Sequence, residues 1–170
     1  MVLYSSDGRE KAKNANGNLS NFVPASLAVT LKSSSKEVGA KGLQLTAALT
    51  PNTLLRANGR FVIHFPEYYG GAGDSVYMLN SLGPECFGTK LAVTSCRYNP
   101  SLRQLTVGYS MNNGKDSRQR HSITVTTFKN PVSVGAKTGF MVVSQDDEGR
   151  PIGQSPVLTL GGISKPTTFD

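Results

Sequence analysis

The feature that most constrains this chain is a set of short runs in which apolar and polar residues alternate. Three runs are clear, and their apolar positions are Leu27, Val29 and Leu31; Leu43, Leu45, Ala47 and Leu49; and Phe61, Ile63 and Phe65. Successive side chains of a β-strand point to opposite faces, so each run predicts a strand with one buried face. No window shows the 3.6-residue apolar period with caps that would indicate a substantial helix.

Further runs of the same kind extend the pattern through the rest of the chain. They are "DSVYML", "KLAVTSC", "RQLTVGYSM", "SITVTTF", "GFMVVS" and "PVLTL". Glycine is abundant, Trp is absent and Ser, Thr, Val and Leu fill the intervals, which is the composition of short strands joined by turns. Together these runs predict an all-β fold, an antiparallel sandwich or barrel of about seven to nine strands.

Two pairs of residues are predicted to set the connections between strands. Asn58-Gly59 has turn composition and precedes the strand that Pro66 ends. Asn130-Pro131 lies in "FKNPVS", where proline forces extended geometry on the residue before it. We expect the chain to leave one sheet there and to begin a strand of the other sheet at Thr138.

The alternation also predicts the organisation of the chain. Residues 1–22 are polar and lack a sustained period, which predicts an N-terminal extension that acts as a linker or a donated strand. Residues 23–160 form the predicted β-sandwich domain, and residues 161–170 form a C-terminal tail. One domain is the expectation for 170 residues.

The charge balance restricts the partners. Lysine and arginine number 18 against 11 acidic residues, a net charge of +7, but the basic residues are scattered along the chain. A nucleic-acid-binding protein concentrates them on one stripe, so we predict no specific nucleic-acid partner. No apolar run reaches the length of about 18 residues that spans a bilayer, so no membrane insertion is predicted.

Cys86 and Cys96 are the two cysteines of the chain. A disulfide between them would close a short loop and would indicate an oxidising, extracellular compartment. Two free buried thiols are the alternative, and a zinc site is a further one, although neither histidine has a ligand spacing. Met1-Val2-Leu3 is too short for a signal peptide, so secretion would imply that a leader has been removed.

The sequence contains no recognisable catalytic arrangement. His64 and His121 lie in strand patterns and are predicted to be surface histidines, and no nucleophile elbow accompanies them. The segment "GYSMNNGKD" departs from a phosphate-binding loop and is better explained by a hairpin turn at residues 112–114. We therefore predict no enzyme activity, no cofactor and no metal site.

Three loop features remain as candidates. Tyr68 and Tyr69 begin a glycine-rich loop and could contact a ligand such as a sugar. Asn18 opens an Asn-Leu-Ser sequon in a polar segment and is a candidate glycosylation site. The acidic residues 146–148 could bind calcium but lack the further ligands of a calcium loop, so a solvated turn is predicted.

The order of several segments resembles a known family. The succession "LQLTAALTPN", "NGRFVIHFP", Cys86 and Cys96, then "SITVTTFKNPVSVGAKTGFMVVSQDDEG" is similar to the repeat unit of long extracellular surface proteins of ciliates and related protists. The resemblance covers about residues 41–155, in a single copy. It implies an immunoglobulin-like β-sandwich, a disulfide, secretion and a role in cell-surface architecture.

The predicted architecture is a single sandwich whose polar ends could form strands, and this suggests a function. Exposed sheet edges must be protected or used, so we predict a non-catalytic subunit of an extracellular fibre or surface layer that self-associates. The segments "NFVPASLAVTL" and "PVLTLGGISK" are the candidate donated strands. The alternatives are a monomeric adhesion or carbohydrate-binding module, with glycans as partners, and a small viral jelly-roll coat protein.

Overall fold

A computed structural model shows that the chain is an all-β protein, which confirms the predicted fold class. The structure describes residues 3–4, 10–12, 24–66, 84–111 and 119–165, and these residues contain no helix. The strands are β1 (Leu3–Tyr4), β2 (Glu10–Ala12), β3 (Ala25–Ser33), β4 (Leu43–Pro51), β5 (Asn58–His64), β6 (Cys86–Thr89), β7 (Ala92–Asn99), β8 (Gln104–Ser110), β9 (His121–Phe128), β10 (Gly135–Asp146), β11 (Pro151–Gln154) and β12 (Leu158–Ile163).

Ten strands form one sheet that folds over a shared core and nearly closes as a barrel. Its order is β6-β9-β4-β3-β11-β10-β5-β8-β7, with β12 paired to β10. We call β6, β9, β4 and β3 the first layer, and β11, β10, β5, β8 and β7 the second layer. The layers meet where β3 and β11 pair in parallel, whereas the other strand pairs are antiparallel.

The alternating runs supply the core, as their period requires. The apolar positions of β4, from Leu43 to Leu49, are all buried, and those of β5 and β8 pack against them in one cluster. Val62 is also buried, although it points away from Phe61 and Ile63, because β5 lies between β10 and β8 in the middle of the second layer. Burial of the apolar face of each layer makes the largest favourable contribution to the free energy of folding.

The predicted crossover between the layers is present. Strand β9 ends at Phe128 in the first layer, and β10 begins at Gly135 in the second layer, three residues before the predicted start. The Asn130 side chain between them is fully buried and donates to the carbonyls of Ser35 and Glu37, at 2.8 to 2.9 Å. The crossover is therefore fixed by side-chain hydrogen bonds as well as by proline geometry.

Asn58 and Gly59 do not form the predicted turn. Both lie inside β5, where Asn58 pairs with Ser110 and Gly59 pairs with Tyr109. A Cβ atom on Gly59 would stand 2.6 Å from the carbonyl oxygen of Gln145 and 2.7 Å from the Tyr109 hydroxyl. Glycine is required here because a ring and a neighbouring strand approach closely, which is the other use that strands make of glycine.

The two ends of the chain differ from each other. Strand β12 continues past the predicted boundary at residue 160, and Ile163 at its end is 3% exposed and packs in the core. The segments proposed as donated strands thus form β3 and β12 of the chain's own sheet. At the N-terminus, β1 and β2 pair with each other in a separate two-stranded sheet.

Candidate ligand-binding surfaces

Cys86 and Cys96 form a disulfide that joins the terminal strands of the sheet, which confirms the favoured prediction. Cys86 begins β6 and Cys96 lies in the middle of β7, and their Cα atoms are 5.8 Å apart. The short link through Lys90 connects the same two strands at their other ends, with a positive φ of 64° at Lys90. We call the junction between β6 and β7 the seam.

The seam protects the sheet edges. A strand inserted between two others stands about 4.8 Å from each, so its neighbours would need to be roughly 9.6 Å apart. The disulfide holds β6 and β7 much closer than that at Cys86 and Cys96. Strand addition there is therefore sterically opposed, which is one way in which proteins prevent aggregation through sheet edges.

The structure bears on only some of the other predicted sites. Asn18, Tyr68 and Tyr69 lie outside the described residues. Within the described part of the chain, no group of three or more His, Cys, Asp or Glu side chains could hold a metal ion. That same part has no helix with the length and apolar character needed to cross a membrane.

The two histidines occupy different environments. His64 points away from Phe61 and Ile63, as predicted, but it is half-buried, with its Nδ1 atom 3.3 Å from Nε2 of Gln104. Desolvation lowers the pKa of His64. His121 was predicted on the surface, and this is wrong, because it shares the inward parity of Ile123 and is 3% exposed.

The acidic turn after β10 is only in part the predicted solvated turn. Asp147 and Glu148 are exposed, but Asp146 is 5% exposed. The backbone N–H and the Nε of Arg150 donate to its two carboxylate oxygens at 2.8 and 2.7 Å. Burial alone would raise the pKa of Asp146, but the hydrogen bonds and the charge of Arg150 outweigh it and lower that pKa.

The outward side of the first layer is rich in hydroxyl groups. Direct cross-strand register places Thr89, Ser122, Ala48 and Thr30 in one row, and Phe87, Thr124, Thr46 and Lys32 in the next. The hydroxyl oxygens of Thr46 and Thr124 are 3.1 Å apart. We call these eight residues the threonine face. Their side chains are outward because their strand neighbours, such as Leu45 and Ile123, are buried.

Cations lie on and beside the threonine face. Lys32, Lys90 and Arg120 line a depression of about 420 Å³ together with Thr30, Thr46, Ala48, Thr89, His121 and Ser122. No carboxylate is among these described lining residues. Phe87 is an aromatic ring on the same face, and it is 56% exposed. The face thus combines hydroxyl donors and acceptors, positive charge and one apolar platform.

A second concave site opens on the second layer, at the end where β5 begins and β8 and β10 finish. This cleft, which we call the tyrosine cleft, has a volume of about 430 Å³ and is lined by Asn58, Gly59, Arg60, Thr94, Ser95, Arg97, Thr106, Gly108, Tyr109, Asp146 and Asp147. A register shift between Val93 and Ser95 bulges β7, and a Cβ atom at Gly108 would collide with the hydroxyls of Thr94 and Ser95. The bulge therefore needs glycine on β8.

The side of the cleft that faces the core is formed by Tyr109. Its ring stacks on Phe61 with the centroids 4.8 Å apart, and the residue is 1% exposed. Its hydroxyl has no hydrogen-bond partner among the described residues. Burial and the nearby Asp146 carboxylate raise the pKa of Tyr109 to about 12, so the phenol is neutral and can donate a hydrogen bond.

No family model matches the chain, and no curated protein matches it. Among solved structures, the chain is similar to the bacterial hydrophobin BslA, with 13% sequence identity over 83% of this chain and 98% of that chain, and a TM-score of 0.44. It is also similar to a non-cellulosomal cohesin from the hyperthermophilic archaeon Archaeoglobus fulgidus, with 11% identity over 81% of this chain and 91% of that chain, and a TM-score of 0.40. The proposals below rest on this chain's own residues.

The sequence alone did not reveal either surface. The threonine face is assembled from four strands, and its rows depend on the register between them. A signal was present, because the polar positions of β4 and β9 are mostly small or hydroxyl-bearing residues. The sequence contains no comparable indication of the tyrosine cleft, since Tyr109 falls at a buried position of the alternating pattern of β8, as an ordinary core residue would.

Proposed function

We propose that this protein is a non-catalytic module of an extracellular or cell-surface assembly and that it attaches there by binding an acidic polysaccharide on the threonine face. The observation that carries the proposal is the combination of aligned hydroxyls with Lys32, Lys90 and Arg120 around one depression. The Cys86–Cys96 disulfide supports an extracellular location, because such bonds persist in oxidising compartments. The resemblance to protist surface-protein repeats agrees with the same location.

The chemistry of the face suits an anionic sugar chain. Hydroxyl groups of Thr30, Thr46 and Ser122 can each donate and accept a hydrogen bond, as sugar hydroxyls require. The cations attract carboxylate or sulfate groups, and the absence of a lining acid leaves that attraction uncompensated within the described depression. The exposed Phe87 ring offers a flat apolar surface for the C–H face of a sugar ring.

The shape of the face favours a polymer. Four neighbouring strands extend roughly 14 Å in the hydrogen-bonding direction, since adjacent strands are about 4.8 Å apart. Both rows of the threonine face cross all four strands. One row has no large side chain, and the other has large side chains only at its two ends, Phe87 and Lys32. A sugar chain of a few units can lie along such a row.

The test is binding to charged and neutral polysaccharides of matched length. We expect retention on sulfated and uronic acid polysaccharides that weakens as salt rises, because exposed charges are screened at high ionic strength. A triple variant, Lys32→Gln, Lys90→Gln and Arg120→Gln, should lose most of this affinity. The control variant, Lys36→Gln, Lys41→Gln and Arg56→Gln, removes the same charge from other exposed positions.

The two variants separate site binding from net charge. Equal loss of affinity in both triple variants would show that overall charge, not the threonine face, binds the polymer. Equal binding of a single-stranded nucleic acid of the same charge would contradict the choice of polysaccharide. Phe87→Ala gives an independent readout, because it should weaken binding without changing the salt dependence.

A second candidate function is self-association into a fibre or surface layer through residues 1–22. The observation that favours it is that β1 and β2 can form strand pairing yet lie outside the ten-stranded sheet. A short hairpin of this size is marginal alone and gains stability by pairing with a further strand. Sedimentation of the full chain beside a version that lacks residues 1–22 tests this, and a full-length monomer at high concentration would refute it.

A further inference from the structure

We propose that this protein self-associates by pairing β1 with β1 of a second copy, which gives a dimer with a four-stranded sheet of order β2-β1-β1-β2. The proposal rests on the second candidate function, association through residues 1–22, and names the strand edge that the association uses. The observations that carry it are the closed edges of the ten-stranded sheet and the open edges of β1 and β2.

The first closed edge of the ten-stranded sheet is the seam between β6 and β7. The disulfide fixes the two strands at one end, with the Cα atoms of Cys86 and Cys96 5.8 Å apart, and the link through Lys90 joins them at the other end. Insertion of a further strand would need neighbours roughly 9.6 Å apart. A strand from another molecule is therefore excluded from the seam.

The second closed edge is the line along which β3 runs beside β11 and β12, which we call the parallel junction. At one end, residues 25–26 pair with residues 153–154. At the other end, the backbone N–H of Val38 donates to the carbonyl of Ser164 at 3.0 Å, and the N–H of Ser164 donates to the carbonyl of Lys36 at 2.7 Å. Backbone hydrogen bonds thus hold the parallel junction together at both of its ends.

Core side chains fill the parallel junction between these two ends. Leu27 and Leu31 of β3 and Leu160 and Ile163 of β12 are buried in one cluster. Entry of a foreign strand would break the backbone hydrogen bonds at the ends and would expose this part of the core to water. Among the described residues, neither the seam nor the parallel junction therefore accepts a strand from a neighbouring molecule.

The edges of β1 and β2 are open. These strands pair with each other, Leu3 with Ala12 and Tyr4 with Glu10, and with no strand of the ten-stranded sheet. The outer edge of each has no strand partner among the described residues. A two-stranded sheet is marginal in water and becomes stable when further strands join it. Because the ten-stranded sheet of a neighbour is closed, the same two strands of a second copy are the available partner.

The residues at the two open edges favour pairing through β1. Strand β1 is Leu3 and Tyr4, without charge, whereas β2 contains Glu10 and Lys11. Charged residues, lysine above all, protect an edge strand against pairing. Antiparallel pairing of β2 with its own copy in full register would also place Lys11 opposite Lys11, which is unfavourable. Pairing of β1 with β1 about a two-fold axis is isologous and closed, so it gives a dimer and not a fibre.

The first test is sedimentation velocity of the full chain mixed with a fluorescently labelled version that lacks residues 1–22. We expect the full chain to form a concentration-dependent dimer and the labelled protein to stay monomeric, because it keeps the ten-stranded sheet but lacks β1. Labelled protein that sediments with the full chain would overturn the pairing of β1 with β1 and leave association through residues 1–22 standing. A full chain that is monomeric at high concentration would overturn both.

Charge substitution in β1 provides an independent test. The Leu3→Lys, Tyr4→Lys variant and the Leu3→Glu, Tyr4→Glu variant should each weaken the dimer at least tenfold at low salt, because like charges then lie opposite each other in the new strand pair. An equimolar mixture of the two variants should restore it. The control, Leu54→Lys with Val157→Lys, adds the same charge at exposed apolar positions of the larger domain and should leave the dimer unchanged. No association in the mixture, or equal weakening in the control, would overturn the proposal.

Discussion

Cys86 and Cys96 join β6 and β7, the first and last strands of the sheet path, across a Cα distance of 5.8 Å. The bond spans a short stretch of sequence but connects the two strands that are farthest apart in sheet order. Besides closing a loop, the disulfide therefore holds together the two edges of the sheet, which are formed by β6 and β7.

Removal of the disulfide should destabilise the protein and promote association. We expect the Cys86→Ser, Cys96→Ser double variant to lose about 3 kcal/mol in the free energy of unfolding, as the chain-entropy model gives for a loop of this length. Release of the seam exposes the edges of β6 and β7, so oligomers should appear in sedimentation velocity. The reduced native protein should behave like the variant. A variant that stays monomeric with native stability would contradict the role of the seam.

Gly59 should tolerate no side chain. Gly59→Ala places a methyl group 2.6 Å from the carbonyl oxygen of Gln145, and relief of that clash requires β5 and β10 to separate. Overpacking of this kind costs about 1 to 3 kcal/mol in the free energy of unfolding, measured by urea denaturation. Gly161→Ala is the matched control, because a Cβ atom there meets nothing within 4 Å. Equal stability of the two variants would show that β5 and β10 adjust freely.

Asn130 should be the most sensitive polar residue of the crossover. Asn130→Ala leaves the carbonyls of Ser35 and Glu37 without these donors, which costs about 1 to 3 kcal/mol in thermal or urea unfolding. Asn130→Asp should cost more, because it turns the donor into a carboxylate oxygen facing two carbonyls. The exposed Asn52 is the control, and Asn52→Asp should be nearly neutral. Similar stability of the Asn130→Ala and Asn130→Asp variants would contradict the donor role.

The pair of Asp146 and Arg150 should make the protein sensitive to acid. Because the pKa of Asp146 is lower in the folded state than its ordinary value of 3.8, the stabilisation is present above about pH 4 and is lost as the pH falls through the folded pKa. The free energy of unfolding should therefore decline more steeply below pH 4 in the native protein than in Asp146→Asn. Parallel acid profiles of the two proteins would show that this carboxylate does not contribute.

The raised pKa of Tyr109 should make the free energy of unfolding fall as the pH rises, the opposite of the effect of Asp146. Its folded pKa of about 12 lies above the ordinary value of 10.0, so its contribution is complete below pH 10 and is lost as the pH rises toward 12. Unfolding curves between pH 9 and pH 12 should fall for the native protein and fall less for Tyr109→Phe. A decline of equal slope in both proteins would show that other groups govern alkaline unfolding.

Local sequence patterns were enough to predict the all-β class, most strand positions, the core residues of β4 and β5, and the layer change at Asn130-Pro131. These follow from local patterns, because a period of two fixes which side chains share a face wherever a strand pairs. The favoured cysteine pairing also followed, since two cysteines and a short loop leave few alternatives.

Features that depend on register and burial could be seen only in the folded structure. Asn58-Gly59 has the composition of a turn, but the close approach of Tyr109 and β10 places it inside a strand. His121 is a polar residue and was therefore predicted at the surface, but it lies on the same face of β9 as Ile123 and is buried. The threonine face and the tyrosine cleft join residues from strands far apart in the chain, and only the pairing of those strands brings their side chains together.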